Sequence, residues 1–162
     1  MAIPLLLIAI VFVGIFGAGM FNIIAILSVA SGIGQSRVLR SGVIAIKEQQ
    51  YIEASRAIGC SSLRIFIRHI LPNVSPIIIV LMSTALGGVI LAESSLSFLG
   101  YGIPPPQPTW GGMLAGRGMA YMQINPWMAV WPGLFLSLTV FGANMFGDAL
   151  RDLLDPRLRG SR

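Results

Sequence analysis

From Val74 to Leu99 the chain carries a single charged residue, Glu93. Few soluble folds have a use for such a run. At 1.5 Å of rise per residue, about 20 apolar residues cross the roughly 30 Å hydrocarbon core of a bilayer. Lipid offers the backbone no hydrogen-bonding partner, so a run of this kind is expected to be helical. Three other stretches have the same character, at residues 3–19, 21–40 and 127–148, the second uncharged before Arg37. The whole chain is 55% hydrophobic and 10% charged, where soluble domains carry about 25% charge. The expectation is an all-α, multi-pass membrane helix bundle forming one domain over residues 1–162.

The first stretch has no positive region before it, and a second apolar run follows almost at once. It therefore reads as a span and not as a cleaved leader. Net charge is +5, but the cations fall in two blocks, Arg37 to Arg68 and Arg151 to the C-terminus, with Arg117 apart from both. Blocks of this kind suit a cytoplasmic membrane face. A nucleic-acid surface would interleave aromatic residues with the cations, so no nucleic-acid partner is expected. The positive-inside rule puts the connection at residues 47–73 and both termini in the cytoplasm, and residues 100–126 outside. That outer connection contains "GYGIPPPQPTWGG", whose prolines exclude a long helix. Residues 112–123 are compatible with a short surface helix. Trp110, Tyr121, Trp127 and Trp131 suit an aromatic belt. Small residues recur four apart at Ser28 and Gly32, Ala30 and Gly34, and Ala143 and Gly147, a spacing that permits close helix approach but is common in membrane helices.

The inner connection holds most of the polar chemistry. Residues 48–58 are helix-compatible, and Gly59 suits the left-handed position that ends a helix. Ser61 or Ser62 can cap a second helix. Leu63, Phe66, Ile67, Ile70 and Leu71 form one apolar stripe at α-helical spacing, with Arg64 and Arg68 on another face. Pro72 is expected to stop this helix, and Asn73 or Ser75 to cap the next, with Pro76 in its first turn. Two short helices locked at a glycine corner would pass a displacement on to the adjoining spans. An ordinary amphipathic segment lying on the membrane has the same spacing.

The segment "EASRAIGCSSLRIFIRHILPN" resembles the EAA loop of bacterial ABC importer permeases. Glu53, Ala54, Gly59, Leu71 and Pro72 fall at the motif spacings. Ser55 replaces the usual second alanine, and His69 stands where isoleucine is usual. The "RHILPN" form is similar to the dipeptide, oligopeptide and nickel branch. "GGVILAESSLSFLGYGIPPPQPTWGGML" and "PGLFLSLTVFGANMFGDALRDLLDPRLR" resemble that branch in its outer loop, last span and tail. The resemblance implies a partial type I ABC importer transmembrane domain, a non-catalytic permease subunit for peptides or a similar solute. It implies as partners two cytoplasmic ATPase subunits, a second permease subunit, an extracytoplasmic solute-binding protein and membrane lipid. Glu53, Ala54, Ser55, Gly59, Leu71 and Pro72 would form the ATPase-docking contact. The family's permeases ordinarily carry two further spans ahead of the four matched here, so the chain is expected to be a fragment or a truncated gene product.

No GxxxxGK[ST] phosphate loop occurs, so ATP hydrolysis is expected in a partner chain, and no cofactor is expected. The lone cysteine, Cys60, excludes an internal disulfide and a cysteine-cluster metal site. His69 has no second histidine or cysteine nearby, and the methionines read as filler. Glu93 lies seventeen residues beyond Pro76, about 26 Å along a helix, near the outer interface. It reads either as a pathway residue or as a group satisfied locally by serines 94, 95 and 97. Asn144 and Asp148 read as structural groups at the inner end of the last span. A secondary transporter would place ionisable groups at mid-bilayer, where these spans offer none. An intramembrane Ser–His enzyme lacks its histidine within a span, and a non-transporting assembly subunit is the remaining competitor.

Overall fold

The computed structural model describes residues 4–154, without the side chain of Arg117. Every regular element among them is helical. Helix α1 (Leu5–Phe16) leads into α2 (Met20–Lys47), then α3 (Gln50–Ala57) and α4 (Ser62–Ile65). A π-helical turn, Phe66–Ile70, joins α4 to α5 (Leu71–Phe98). Two short helices, α6 (Trp110–Leu114) and α7 (Arg117–Met122), precede α8 (Trp127–Leu154). Helix α5 is the centre of the bundle, touching α1, α2, α6 and α8.

Among the described residues three helices are long and apolar enough to cross a membrane: Met20–Lys47, the continuous Ser62–Phe98, and Trp127–Leu154. The stretch expected as a first span forms a helix of 12 residues, about 18 Å long and short of a bilayer core by itself. Its expected start at Ile3 lies outside the described residues. Gly17 ends it with φ 89°, a conformation that favours glycine. The Asn22 amide then donates to the carbonyls of Phe16 and Gly17, each at 3.0 Å, and closes the corner to α2. The tail cations Arg157, Arg159 and Arg162 also lie outside the described residues.

The expected stop at Pro72 does not occur. A proline ring clashes with the carbonyl four residues back and removes one helical donor. Here the helix widens instead of ending: the Leu71 amide donates to the Phe66 carbonyl, five residues back. The π turn carries the chain past the ring of Pro72. Nor do Asn73 and Ser75 cap a new helix. The Asn73 amide donates to the His69 carbonyl at 2.6 Å. Ser75 Oγ donates to the Pro72 carbonyl at 2.8 Å, the acceptor that Pro76 leaves without its amide. The Ser75 side chain thus replaces the bond that Pro76 removes.

Two apolar clusters hold the bundle. Towards the outer end, Ala9 and Val13 of α1 pack with Ile23, Ile26 and Leu27 of α2 and Ala92 and Leu96 of α5. Towards the inner end, Ile52, Ile65, Ile70 and Val74 form the second cluster, flanked by Leu39, Val43 and Ile46 of α2. Helix α8 joins α5 differently, by close backbone approach. A Cβ on Gly147 would lie 3.2 Å from the Ser83 carbonyl carbon, and one on Gly87 would lie 2.5 Å from Asn144 Oδ1. Of the three small-residue pairs, the Ala143–Gly147 pair therefore lies at a helix crossing. Gly32 has open space around it.

The expected surface helix of the outer connection is two helices. They are broken at Gly116, whose φ of 54° no ordinary helix allows. Thr109 Oγ1 accepts from the Gly112 amide at 3.0 Å and starts α6. Gly111 then sits directly on the α5 backbone at Ser94.

Candidate functional site

The inner connection folds as an elbow with its own core. Helix α3 is mostly polar, yet Ile52 is fully buried between α2 and the segment beginning at α4. Successive helical residues turn by about 100°, so burying Ile52 turns Glu53 and Ala54 outward. Both are exposed, and Ser55 is half-buried with its Oγ donating to the Tyr51 carbonyl at 2.7 Å. The elbow corner is fixed by two hydrogen bonds. The Gly59 amide donates to Arg56 O at 2.9 Å, and the Cys60 amide donates to Ser55 O at 3.1 Å. With φ 81° at Gly59, this is a Schellman ending, in which the left-handed residue lets both amides reach back. Ser61 Oγ then accepts from the Arg64 amide at 3.4 Å and starts α4.

Leu71 and Pro72 stand at the other end of this unit, in the first turn of α5, and both are exposed. The elbow core joins them to α3 through Ile65, Ile70 and Val74. The Tyr51 and His69 rings add a second link, their centroids 6.0 Å apart. The six expected docking residues therefore belong to one folded unit. Four lie on α3 or its corner and two at the base of the long helix.

The apolar stripe expected on α4 is divided by the π turn. Ile65 and Ile70 are buried, while Leu63, Phe66, Ile67 and Leu71 are exposed. The extra residue of a π turn shifts the helical phase, so the stripe is shared between the elbow core and the outer surface of the helix. Two residues with a part in the tip escape a motif-based reading. Ile58 is 81% exposed and Leu63 69% exposed, on either side of the Gly59 corner. Both are large apolar groups beside a turn, and this placement in a cation-rich loop is the signal that could have found them. Ile52 is the one large aliphatic residue of "QYIEASRA", and that contrast is the signal that could have found it.

Height along the bundle follows from α2 and α5. A Cβ on Gly42 would meet Ile77 Cδ1 at 2.8 Å, so Ile77 stands level with a part of α2 beyond Arg37 and Arg40. The elbow lies further still from the apolar middle of the bundle. Among the described residues no group of three or more His, Cys, Asp or Glu could hold a metal ion.

Glu93 lies apart from the elbow, near the outer end of α5. Ser97 Oγ donates to its Oε1 at 2.6 Å, and Ser94 Oγ reaches Oε2 at 3.5 Å. Ser95 turns away and donates to the Leu91 carbonyl. The contacts pairing Gly87 with Asn144 and Ser83 with Gly147 set the antiparallel register of α5 and α8. That register puts Glu93 level with Leu138, about 10 Å along α8 from Trp131.

Comparison with known proteins agrees across nearly the whole chain. Residues 1–160 match the family described as binding-protein-dependent transport system inner membrane component. Over 159 residues the chain is 42% identical to the glutathione transport system permease protein GsiD of Escherichia coli O1:K1. The same holds for the proteins of that name from Shigella flexneri serotype 5b and Shigella boydii serotype 4. The match covers 98% of this chain and 52% of the relative, so the chain spans about half the length of the curated relatives it matches.

Proposed function

Because this chain belongs to the family of binding-protein-dependent transport system inner membrane components, we propose that it forms the membrane-spanning path of an ATP-driven importer and docks a cytoplasmic ATPase through its elbow. The solute is a small peptide or a chemically similar molecule, in keeping with relatives named for glutathione transport. The working assembly has two ATPase subunits, a second permease subunit and an external solute-binding protein. ATP is hydrolysed in the ATPase chains. The elbow and both ends of this chain face the cytoplasm.

One observation carries this reading: the elbow is a folded unit anchored by the buried Ile52, with its tip left open. Glu53 and Ala54 face outward on α3, Ser55 sits beside them, and Gly59 permits close approach at the corner. The Glu53 carboxylate can accept charge-assisted hydrogen bonds. Ile58 and Leu63 supply apolar area that a partner would remove from water, at about 25 cal/mol per Å². A push on α3 reaches Ile65 and Ile70 through the elbow core. From there it enters a helix of 37 residues ending at Phe98. Leu71 and Pro72, at the base of that helix, complete the docking unit.

The test places a single cysteine at Ala54 in a Cys60→Ser background of the assembled importer. A crosslink to the ATPase that changes on ATP binding is the expected result. Labelling of that cysteine by an impermeant reagent from outside intact cells would overturn the orientation. A second measurement uses Gly59→Asp. The complex should assemble while ATP-dependent uptake is lost; undiminished uptake by the assembled variant would overturn the docking contact. Uptake driven by an ion gradient without ATP would instead identify a secondary transporter.

A further inference from the structure

Helix α2 changes character partway along its length. Val29 and Ile33 are exposed apolar residues, and Arg37 and Arg40 follow at steps of four and three, which keeps all four on one side of the helix. Both arginines are exposed, and among the described residues neither guanidinium makes a hydrogen bond or an ion pair. The neighbouring hydroxyls of Ser36 and Ser41 donate to the Ile33 and Val38 carbonyls of their own helix. The level of the two arginines follows from helix packing. Gly42 meets Ile77, and Ser83 meets Gly147, so Arg40 stands level with Ile79 of α5 and Arg151 of α8. Trp131 and Arg151 are separated on α8 by about 30 Å, the thickness of a bilayer core. With Trp131 at one interface, Arg40 is at the headgroup level of the other. The acids near that level, Asp148 and Asp152, belong to α8, which meets α5 along Ser83 and Gly87, whereas α2 borders α5 along Ala85 and Val89.

One turn from Arg37, at Ile33 and Gly34, α2 lines a cavity of about 330 Å³ shared with Ile8 of α1 and with Ala85 and Val89 of α5. Ile8 and Ile33 are also exposed, so this space borders the outer surface of the bundle. We infer that this surface is a binding site for an anionic phospholipid, whose phosphate is held by Arg37 and Arg40 and whose acyl chain enters the cavity beside Ile33. A guanidinium presents a planar fork of donors that matches phosphate oxygens. Two arginines three apart on a helix are neighbours and repel one another, and an anion placed between them relieves both. Basic pockets between membrane helices at this level suit acidic headgroups. A zwitterionic lipid supplies the same phosphate but brings its own cation, so charge selects the anionic one. A soluble phosphate would satisfy the arginines and leave the apolar cavity unused. The site needs only α2 in a bilayer and does not depend on the importer reading.

The test uses the assembled importer in detergent and reads bound dioleoylphosphatidylglycerol by native mass spectrometry at physiological ionic strength. The spectra also report assembly, so only intact complexes are scored. This lipid should bind in preference to dioleoylphosphatidylcholine. Arg37→Gln combined with Arg40→Gln should weaken it about 30-fold. Arg64→Gln combined with Arg68→Gln removes the same charge more than a Debye length further along the rod, and should change binding by no more than about twofold. Ala85→Leu fills the cavity, keeps both arginines and should weaken binding several-fold. Equal losses from the two arginine pairs, equal binding of the two lipids, or full affinity in Ala85→Leu would overturn the site. So would displacement of the lipid by an equal concentration of glycerol 3-phosphate, which would make free phosphate the ligand. Lost ATP-dependent uptake with lipid binding intact would overturn the importer reading alone, so the two failures are distinguishable.

Discussion

The two long connections of this bundle are built on opposite plans. The inner elbow encloses side chains of its own: Ile52, Ile65, Ile70 and Val74 are buried together, and the Gly59 corner is closed by two backbone bonds. Among its described residues the outer connection forms no such cluster. It adheres to α5 through glycines, with Gly111 on the Ser94 backbone and Gly102 on Ser97, and it leaves a space of about 970 Å³ beneath it. A connection with its own core keeps its shape under load and can transmit a displacement. One held by backbone contact at a few glycines is suited to shelter a volume. The same chain thus makes a self-packed projection at one end of the bundle and a roof at the other.

Three substitutions sharpen or break that contrast. The largest effect is expected at Ile52→Ala, which empties the centre of the elbow core. Large-to-small changes at such sites cost about 2–5 kcal/mol. The elbow should become sensitive to limited proteolysis from the cytoplasmic side, and ATPase co-purification should fall, with the outer loop unaffected. Protection equal to wild type would remove the claim that the elbow is a self-supporting unit.

Gly111→Ala comes next. Its Cβ would lie 2.7 Å from the Ser94 carbonyl carbon and 2.9 Å from the Ser94 Cα, both backbone atoms that cannot swing aside. Overpacking of this kind costs about 1–3 kcal/mol. Cysteine accessibility at Ser97→Cys from the outside should rise in the variant while ATPase binding is retained. An unchanged accessibility would show that the roof is held by something other than this contact.

The smallest effect is expected at Gly59→Ala. A Cβ there meets open space, so the cost is confined to the left-handed backbone, about 1–2 kcal/mol. The complex should assemble, with a modest loss of thermal stability and of uptake. A loss as large as that of Ile52→Ala would mean that the corner, and not the core, supports the elbow.

Much of the architecture was legible because membrane helices announce themselves by length and polarity. The Val74–Leu99 run, the cation blocks and the proline-rich outer loop need no tertiary information to be read. The misreadings share one cause, the use of ideal α-helical rules where the backbone departs from them. Pro72 looked like a stop because the widened turn before it leaves no mark in residue type. The stripe from Leu63 to Leu71 reads as continuous because its spacing is correct for a helix without that turn. Gly17 shortened the first helix in a way hydropathy does not register. Which part of α8 lies level with Glu93 could not be read along the chain, since it depends on how Gly87 and Gly147 let α8 lie against α5. The six candidate docking residues rest on motif spacing, while the apolar tip at Ile58 and Leu63 emerges only from their exposure in the folded chain.

The π turn at Phe66–Ile70 also acts as an angular setting between the two ends of a single rod. One residue of an α-helix corresponds to about 100° of rotation. Deleting a residue within that turn would relax it to ordinary winding and swivel everything above it relative to the elbow. Glu93 would then turn away from its present side of the bundle while every residue of the elbow stayed in place. The orientation of the carboxylate is thus dialled at the opposite end of the helix, some 40 Å away along its axis.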